Sequence, residues 1–123
     1  MNHPQNSFLF EVIRQDGCVD PGPLIRNLGV SKTEFATASG LSRDAVYKTS
    51  RLKSPATQAR LRDVAEIINR VLAWAGSPQQ AFAWYRAQPI PSFGDQTPED
   101  LVKEGRAEAV KAYLARIAVG GFA

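Results

Sequence analysis

Residues 32–49 read KTEFATASGLSRDAVYKT, and this stretch decides the fold of the N-terminal half of the chain. It predicts two short helices joined through Gly40, a residue that can adopt the positive φ of a tight turn. Ala36 is small, so the two helices can approach closely where they cross, while Phe35 and Val46 fall on the side that faces a core. The stretch therefore predicts a helix-turn-helix, a motif whose second helix lies in the major groove of DNA.

The second helix of this motif carries residue types that suit DNA. Its first residues would reach base edges, where Arg43 could pair bidentately with a guanine. Ser42 would cap the helix and could also donate to a phosphate. Six basic residues and one acid lie between positions 43 and 62, so the basic excess of the chain is local. The candidate DNA-binding residues are Lys32, Ser42, Arg43, Asp44, Tyr47, Lys48, Arg51 and Lys53.

One residue departs from the usual form of this motif. Thr49 stands where a larger apolar residue is common, so the second helix is expected to be short or loosely packed. A helical hairpin with a solvated basic face is the alternative interpretation of the same residues.

Helix-start signals recur along the rest of the chain. Ser54-Pro55, Ser77-Pro78 and Thr97-Pro98 each place a capping side chain before a proline at the first helical position. Ser31 with Glu34, and Thr97 with Asp100, are possible capping boxes. Apolar residues recur at helical spacing between these signals and the glycines that mark helix ends. We expect an all-α fold with helices at residues 21–28, 32–38, 42–50, 55–75, 78–87, 98–104 and 107–118.

Three segments are not assigned to these helices. Residues 88–96 form a proline-fixed loop, and residues 8–13 are ambiguous between a short helix and a strand. The segment 1–19 matches no motif, and its apolar residues could add to the core or form a dimer contact. The expected division is a helix-turn-helix domain at residues 20–75 and a small helical module at residues 76–123, with glycine stops at Gly29, Gly40, Gly76, Gly105 and Gly120.

Composition limits the chemistry available to the 123 residues. Cys18 is the only cysteine and His3 the only histidine, so Cys and His cannot form a zinc site or a disulfide within the chain. No carboxylate pair stands out, and an enzyme is the least expected class; no cofactor and no metal are expected. The chain lacks a secretory signal pattern and a membrane-length apolar run, which predicts a cytoplasmic protein without membrane contact.

Residues 81–123 read AFAWYRAQPIPSFGDQTPEDLVKEGRAEAVKAYLARIAVGGFA and resemble the C-terminal domain of the Xre/MbcA/ParS-like antitoxins. The resemblance extends more loosely back to about residue 20. The matching positions, in fixed order, are Ala81, Trp84, Pro89, Phe93, Gly94, Thr97, Pro98, Leu101, Val102, Gly105, Val110, Leu114, and Gly120 to Phe122.

The resemblance implies a function that the residue pattern does not give by itself. Such antitoxins commonly neutralise a toxin of the RES class, which destroys NAD, by covering its active-site entrance. The complex also binds and represses its own promoter. The chain is therefore expected to be a type II antitoxin and autorepressor, bound to operator DNA and to a cognate toxin, as a homodimer or in a heteromeric toxin–antitoxin complex.

Some large apolar residues of this region lie where helices leave them uncovered. Ile90 and Phe93 lie in the loop and Phe122 lies beyond a helix stop, so each needs a partner or its own helices to cover it. The candidate toxin-binding residues are Ile90, Phe93, Lys111, Arg116, Gly120, Gly121, Phe122 and Ala123.

Two rival functions remain open on the sequence. One is a transcription regulator without a toxin, whose C-terminal module only dimerises it. The other is a protein-interaction adaptor whose helix-turn-helix has lost DNA binding.

Overall fold

The computed structural model describes the backbone of residues 4–120 and the side chains of residues 7–118. Helices and turns make up this part of the chain, with two isolated bridges and no strand, which confirms the all-α prediction. No described helix is long and apolar enough to cross a membrane. The elements are α1 (Pro4–Val12), α2 (Pro21–Leu28), α3 (Lys32–Ser39), α4 (Arg43–Tyr47), α5 (Thr49–Leu52), α6 (Pro55–Ala75), α7 (Pro78–Ala87), a 3-10 turn (Pro91–Phe93), α8 (Pro98–Lys103) and α9 (Ala107–Gly120).

Local capping chemistry sets the helix starts as predicted. The hydroxyls of Ser54, Ser77 and Thr97 each accept a hydrogen bond from the backbone N–H three residues later. The capping box of Thr97 with Asp100 is complete. Ser31 also caps α3, but its backbone N–H makes no reciprocal bond to the Glu34 carboxylate, which pairs with Arg86 instead.

Most of the predicted glycine stops are confirmed, with one exception. Gly29, Gly40 and Gly76 each follow a helix with positive φ, and Gly105 has positive φ just after α8. The stop at Gly120 stays a prediction: α9 includes Gly120 as its last residue, and residues 121–123 lie outside the described residues.

The helix predicted at residues 42–50 is broken in two. Lys48 adopts an extended conformation (φ −97°, ψ 122°) between α4 and α5. A continuous helix with Val46 in the core would also turn Thr49 and Lys53 toward the core, and both are polar. The break lets Leu52 take the buried position instead.

The long helix α6 forms the centre of the fold. It packs against α1, α7 and α9, and its side chains Leu61, Val64, Ile67 and Ile68 are fully buried. Buried apolar side chains from Phe8 to Leu114 form one cluster around it, so the core continues past Gly76. The domain boundary at Gly76 stays a prediction. Helix α6 itself packs against helices of both halves of the chain.

Residues 8–13, which the sequence left open between a helix and a strand, are helical up to Val12, and Ile13 forms an isolated bridge with Val19. On α1, Phe8 and Val12 are buried in the main cluster, and Val19 follows them after a short loop. The backbone N–H of Val19 donates to Oε1 of Gln58 at 2.7 Å, and Nε2 of Gln58 donates to the Leu52 carbonyl at 2.9 Å. This segment is therefore part of the core and is tied to the end of α5.

Hydrogen bonds from two later helices hold the end of α3. The Tyr85 hydroxyl on α7 donates to the Ala38 carbonyl at 2.7 Å, and Nη1 of Arg60 on α6 donates to the Ser39 carbonyl at 2.8 Å. Helix-end carbonyls lack partners within their own helix, and these side chains supply them. The turn between α3 and α4, the predicted turn of a helix-turn-helix, is thus fixed by the centre and the C-terminal half of the molecule.

An ion-pair network adds to this connection. Nε of Arg86 is 2.7 Å from Oε1 of Glu99, and Nη1 of the same guanidinium is 3.1 Å from Oε2 of Glu34 on α3. Nζ of Lys103 lies 2.6 Å from Oε2 of Glu99. The hydrogen bond with Glu99 raises the pKa of Arg86, with Glu34 adding to the effect. Because Glu99 is buried, its two cations are needed to compensate its charge.

Candidate DNA-binding and partner-binding surfaces

The eight predicted DNA-binding residues are all exposed. They lie on α3, α4 and α5 and on the residues that flank these helices. The elements beneath them are anchored by the buried side chains of Phe35, Ala36, Val46 and Leu52. A firmly packed base with a polar, cationic outer face is what a nucleic-acid reader needs.

Tyr47 forms the centre of this surface. Its side chain is 47% exposed. Nζ of Lys32 lies 4.7 Å from the centre of its ring, and Cζ of Arg43 lies 5.8 Å from the same point. Cation–π contacts of this kind hold the two charges near one another despite their repulsion. The structure therefore joins the first helix of the motif to the second in one cationic patch.

The other predicted DNA-binding residues differ in the contacts that their side chains already make within the chain. The Ser42 hydroxyl accepts from the Ala45 N–H at 3.1 Å and keeps its own proton for donation. Lys48 and Asp44 form an exposed i,i+4 pair at 3.6 Å, which is weak enough to open when a phosphate competes. Arg51 and Lys53 lie on or after α5, beyond the break at Lys48.

The turn at Gly40 is closely packed. Its φ is +74°, and a Cβ added there would lie 2.8 Å from Nη1 of Arg60 and 3.1 Å from Cγ of Lys103. The positive φ favours glycine here, and a Cβ would also displace the guanidinium of Arg60, which donates to the Ser39 carbonyl.

Two predicted toxin-binding residues are not at the surface. Ile90 is fully buried in the main cluster, and its backbone pairs with Gln96 across the loop. The side chain of Lys111 is only 13% exposed and lies 2.8 Å from Oδ1 of Asp63 and 3.0 Å from Oε2 of Glu108. We therefore withdraw Ile90 and Lys111 from the candidate interface, because packing and internal ion pairs already use them.

The charge state of Lys111 agrees with an internal role. Burial by itself would lower the pKa of Lys111, but hydrogen bonds to Asp63 and Glu108 outweigh it, and the pKa is raised. Its backbone carbonyl also accepts from Nη1 of Arg70 at 3.2 Å. The residue therefore ties α9 to α6.

Other predicted residues of the C-terminal half stay accessible. Phe93 is half-buried, with Cζ of Arg106 at 5.5 Å from its ring centre. Arg116 is exposed, and its Cζ lies 5.9 Å from the ring centre of Tyr113. Of the four terminal candidates, Gly120 is the last residue of α9, whereas Gly121, Phe122 and Ala123 lie outside the described residues.

Sequence reasoning missed one exposed aromatic. Trp74 is 43% exposed at the end of α6. It falls off the apolar spacing of Leu61, Val64, Ile68, Val71 and Leu72, and a tryptophan on the outer face of an amphipathic helix is a signal that could have identified it.

Comparison with known proteins agrees with the C-terminal resemblance. Residues 70–120 match the sequence model of the antitoxin Xre/MbcA/ParS C-terminal toxin-binding domain. None of the curated proteins compared with the chain matches it. Among solved structures, a chain in the crystal structure of the M. tuberculosis MbcT-MbcA toxin-antitoxin complex is similar, with a TM-score of 0.58 and 24% identity over 81% of this chain and 91% of that one.

The two comparisons cover different parts of the chain. The structural likeness shows a shared fold that runs from the N-terminal half into the C-terminal half. The family match concerns the C-terminal part, where Trp74, Phe93 and Arg116 lie. Together they show that residues 70–120 are similar to the toxin-binding domain of the Xre/MbcA/ParS antitoxins, and that the chain shares the fold of a chain in the MbcT-MbcA complex.

Proposed function

We propose that this chain is an antitoxin that neutralises a cognate toxin of the RES class by direct binding and represses its own operon by binding operator DNA. The two activities use different surfaces. The toxin binds the C-terminal domain, through accessible residues that include Trp74, Phe93 and Arg116, together with the chain end at residues 120–123. The DNA binds the cationic patch around Tyr47.

The match of residues 70–120 to a toxin-binding domain is the observation that carries the first activity. The accessible side chains of this region add physical support. Trp, Tyr, Phe and Arg are enriched in protein interfaces, where a few such side chains carry most of the binding energy. Trp74, the Phe93–Arg106 pair and the Tyr113–Arg116 pair are of these types and are accessible in the free chain.

The cationic patch supports the second activity. Lys32 and Arg43 lie against the Tyr47 ring, and Lys48, which follows Tyr47 in the chain, is also exposed. Contacts to phosphates supply affinity that depends strongly on salt, whereas an arginine on a base edge supplies sequence discrimination. Because α4 has only five residues, few side chains can reach base edges, and Arg43 is the one that we assign to this role.

A reciprocal experiment separates the two activities. Trp74 and Tyr47 are exposed aromatic residues of similar accessibility, 43% and 47%, on different helices. Trp74→Ala is expected to weaken toxin binding and leave the operator shift intact, while Tyr47→Ala is expected to do the reverse. Toxin affinity is measured by calorimetry with the purified toxin and operator affinity by mobility shift at fixed salt.

The outcomes bear on each part of the proposal. If neither variant alters toxin binding and the wild-type chain binds no neighbouring gene product, the C-terminal domain only dimerises a transcription regulator. If the wild-type chain shifts no DNA, the patch has no role in repression. The RES class is tested by intracellular NAD, which should fall when the toxin is induced alone and recover when the antitoxin is co-expressed.

A further inference from the structure

Aromatic and cationic side chains alternate along one side of helix α9. Arg106 directly precedes the helix, and Tyr113 and Arg116 follow it by seven and ten residues, spacings that place all three on the same side. Cζ of Arg106 lies 5.5 Å from the ring centre of Phe93, and Cζ of Arg116 lies 5.9 Å from that of Tyr113. We call Phe93, Arg106, Tyr113 and Arg116 the α9 stripe. All four lie within the segment that matches a toxin-binding domain.

The two arginines of the α9 stripe differ from the other cations of this region. Both are exposed, and neither forms an ion pair with a side chain of residues 7–118. The remaining cations between residues 70 and 118 are each paired with a carboxylate; they are Arg70, Arg86, Lys103 and Lys111. The fold therefore compensates its other charges here and leaves the positive charge of the α9 stripe without an internal partner.

The acids nearest in sequence to Arg106 are engaged elsewhere. Glu104 accepts a hydrogen bond from Nε2 of Gln96. Glu108 is the one acid in the sequence of α9, and its Oε2 lies 3.0 Å from Nζ of Lys111. An acidic group that pairs with the α9 stripe would thus come from another molecule.

The aromatic contacts prepare the two guanidinium groups for such a partner. Phe93 and Tyr113 pack against the main core, so the rings are held in place. A contact with a ring restrains an arginine without satisfying its N–H donors, and these donors match a carboxylate in a bidentate pair. A restrained side chain also loses less entropy on binding than a free one.

The residue types favour a protein over DNA as the partner. Arginine and aromatic residues are enriched at protein interfaces, whereas lysine is depleted. Both exposed cations of the α9 stripe are arginines, while Lys32 and Lys48 belong to the cationic patch around Tyr47. A positive surface is complementary to a negative one on its partner, and this complementarity supplies specificity more than bulk affinity.

We propose that the α9 stripe selects the toxin by charge, with one toxin carboxylate facing Arg106 and a second facing Arg116. The two carboxylates would lie about 15 Å apart, the rise of ten helical residues. This inference rests on the proposed function, because it concerns how the toxin is recognised on the C-terminal surface.

Charge reversal at two salt concentrations tests the pairing. The full chain is titrated with the purified toxin encoded by the neighbouring reading frame, as wild type, as Arg106→Glu, as Arg116→Glu and as the double variant. Arg62→Glu on α6 makes the same charge change at an exposed position outside the α9 stripe. Calorimetry at about 0.1 M and about 1 M salt gives the dissociation constants, since screening shortens from about 10 Å to about 3 Å over this range. Circular dichroism and the operator shift check that each variant is folded.

The expected pattern separates charge pairing from a merely structural effect. Each single reversal raises the dissociation constant at 0.1 M salt at least about tenfold, while Arg62→Glu leaves it unchanged. The wild-type affinity falls as salt rises. The affinity of the double variant does not fall and instead rises, because salt screens the repulsion between like charges.

Several results would overturn the inference. Unchanged affinity in both single variants, or a double variant with the same salt dependence as the wild type, would exclude pairing with toxin carboxylates. Loss of the operator shift with toxin affinity intact would assign the α9 stripe to nucleic acid. A wild-type chain that binds no toxin would refute the proposed function and this inference together, and that outcome is visible before any variant is made.

Discussion

The hydroxyl of Tyr85 joins the C-terminal domain to the end of α3, and its removal gives a quantitative test of that connection. Tyr85 is fully buried and donates to the Ala38 carbonyl at 2.7 Å. Tyr85→Phe keeps the ring and its stacking on Phe82, but leaves a buried carbonyl without its side-chain donor. The loss of one such bond costs about 1–2 kcal/mol.

This cost converts into a measurable shift of the melting temperature. With an unfolding entropy of about 2.1 cal/mol/K per residue, a chain of this length loses about 4 °C in Tm for each kcal/mol. Tyr85→Phe should therefore lower Tm by about 4–8 °C in a thermal unfolding experiment followed by circular dichroism. Operator affinity should fall more than toxin affinity, because the contact holds the turn at Gly40 and not the C-terminal surface.

The matched control is Tyr113→Phe, whose hydroxyl makes no hydrogen bond with the described residues. Its Tm should stay within about 1 °C of the wild type, in line with the small effect of a solvated group. An unchanged Tm in Tyr85→Phe, or equal shifts in the two variants, would refute the claim that this bond ties α7 to α3.

Three further predictions concern DNA contacts, alkaline stability and the chain end. Arg43→Ala should weaken specific operator binding by about 1–3 kcal/mol. Lys53→Ala should weaken binding to all DNA sequences alike and make the affinity less dependent on salt concentration. Unchanged operator affinity for Arg43→Ala at fixed salt would contradict the placement of the DNA-reading helix. Burial raises the pKa of Tyr85 above its usual value of 10.0, so the stability that the protonated hydroxyl contributes is complete below pH 10 and is lost as the pH rises above it. The denaturant midpoint of the wild type should therefore fall between about pH 9 and pH 11, and Tyr85→Phe should remove this part of the pH dependence. Deletion of residues 119–123 should abolish toxin neutralisation in growth assays and leave Tm and the operator shift nearly intact; a large loss of Tm would mean that these residues stabilise the antitoxin itself.

Local signals predicted most of the fold, and contacts distant in sequence account for the rest. Ser54, Ser77 and Thr97 start their helices because a cap depends on residues within one turn of it. The interior role of Lys111 was not predictable, since its partner Asp63 is 48 residues away. Ile90 looked uncovered in its loop because only the folded chain shows the core that covers it.

In the candidate surfaces, too, local sequence predicted some features and distant contacts decided others. All eight predicted DNA-binding residues are exposed and several contact one another, since a helix and its neighbouring turn fix their positions. The break at Lys48 was signalled only by Thr49, and its outcome depended on whether Leu52 could reach the core. Trp74 was missed because helical periodicity identifies a buried face and does not rank what is left outside it.

The most direct test of the proposed function is the growth of cells in which the reading frame neighbouring this gene is induced with and without this chain. The account predicts that the neighbour alone stops growth, that co-expression of the wild-type chain restores it, and that Trp74→Ala restores it poorly while Tyr47→Ala restores it fully. A neighbour whose toxicity the wild-type chain does not relieve, or relief that is indifferent to the C-terminal surface, would contradict it.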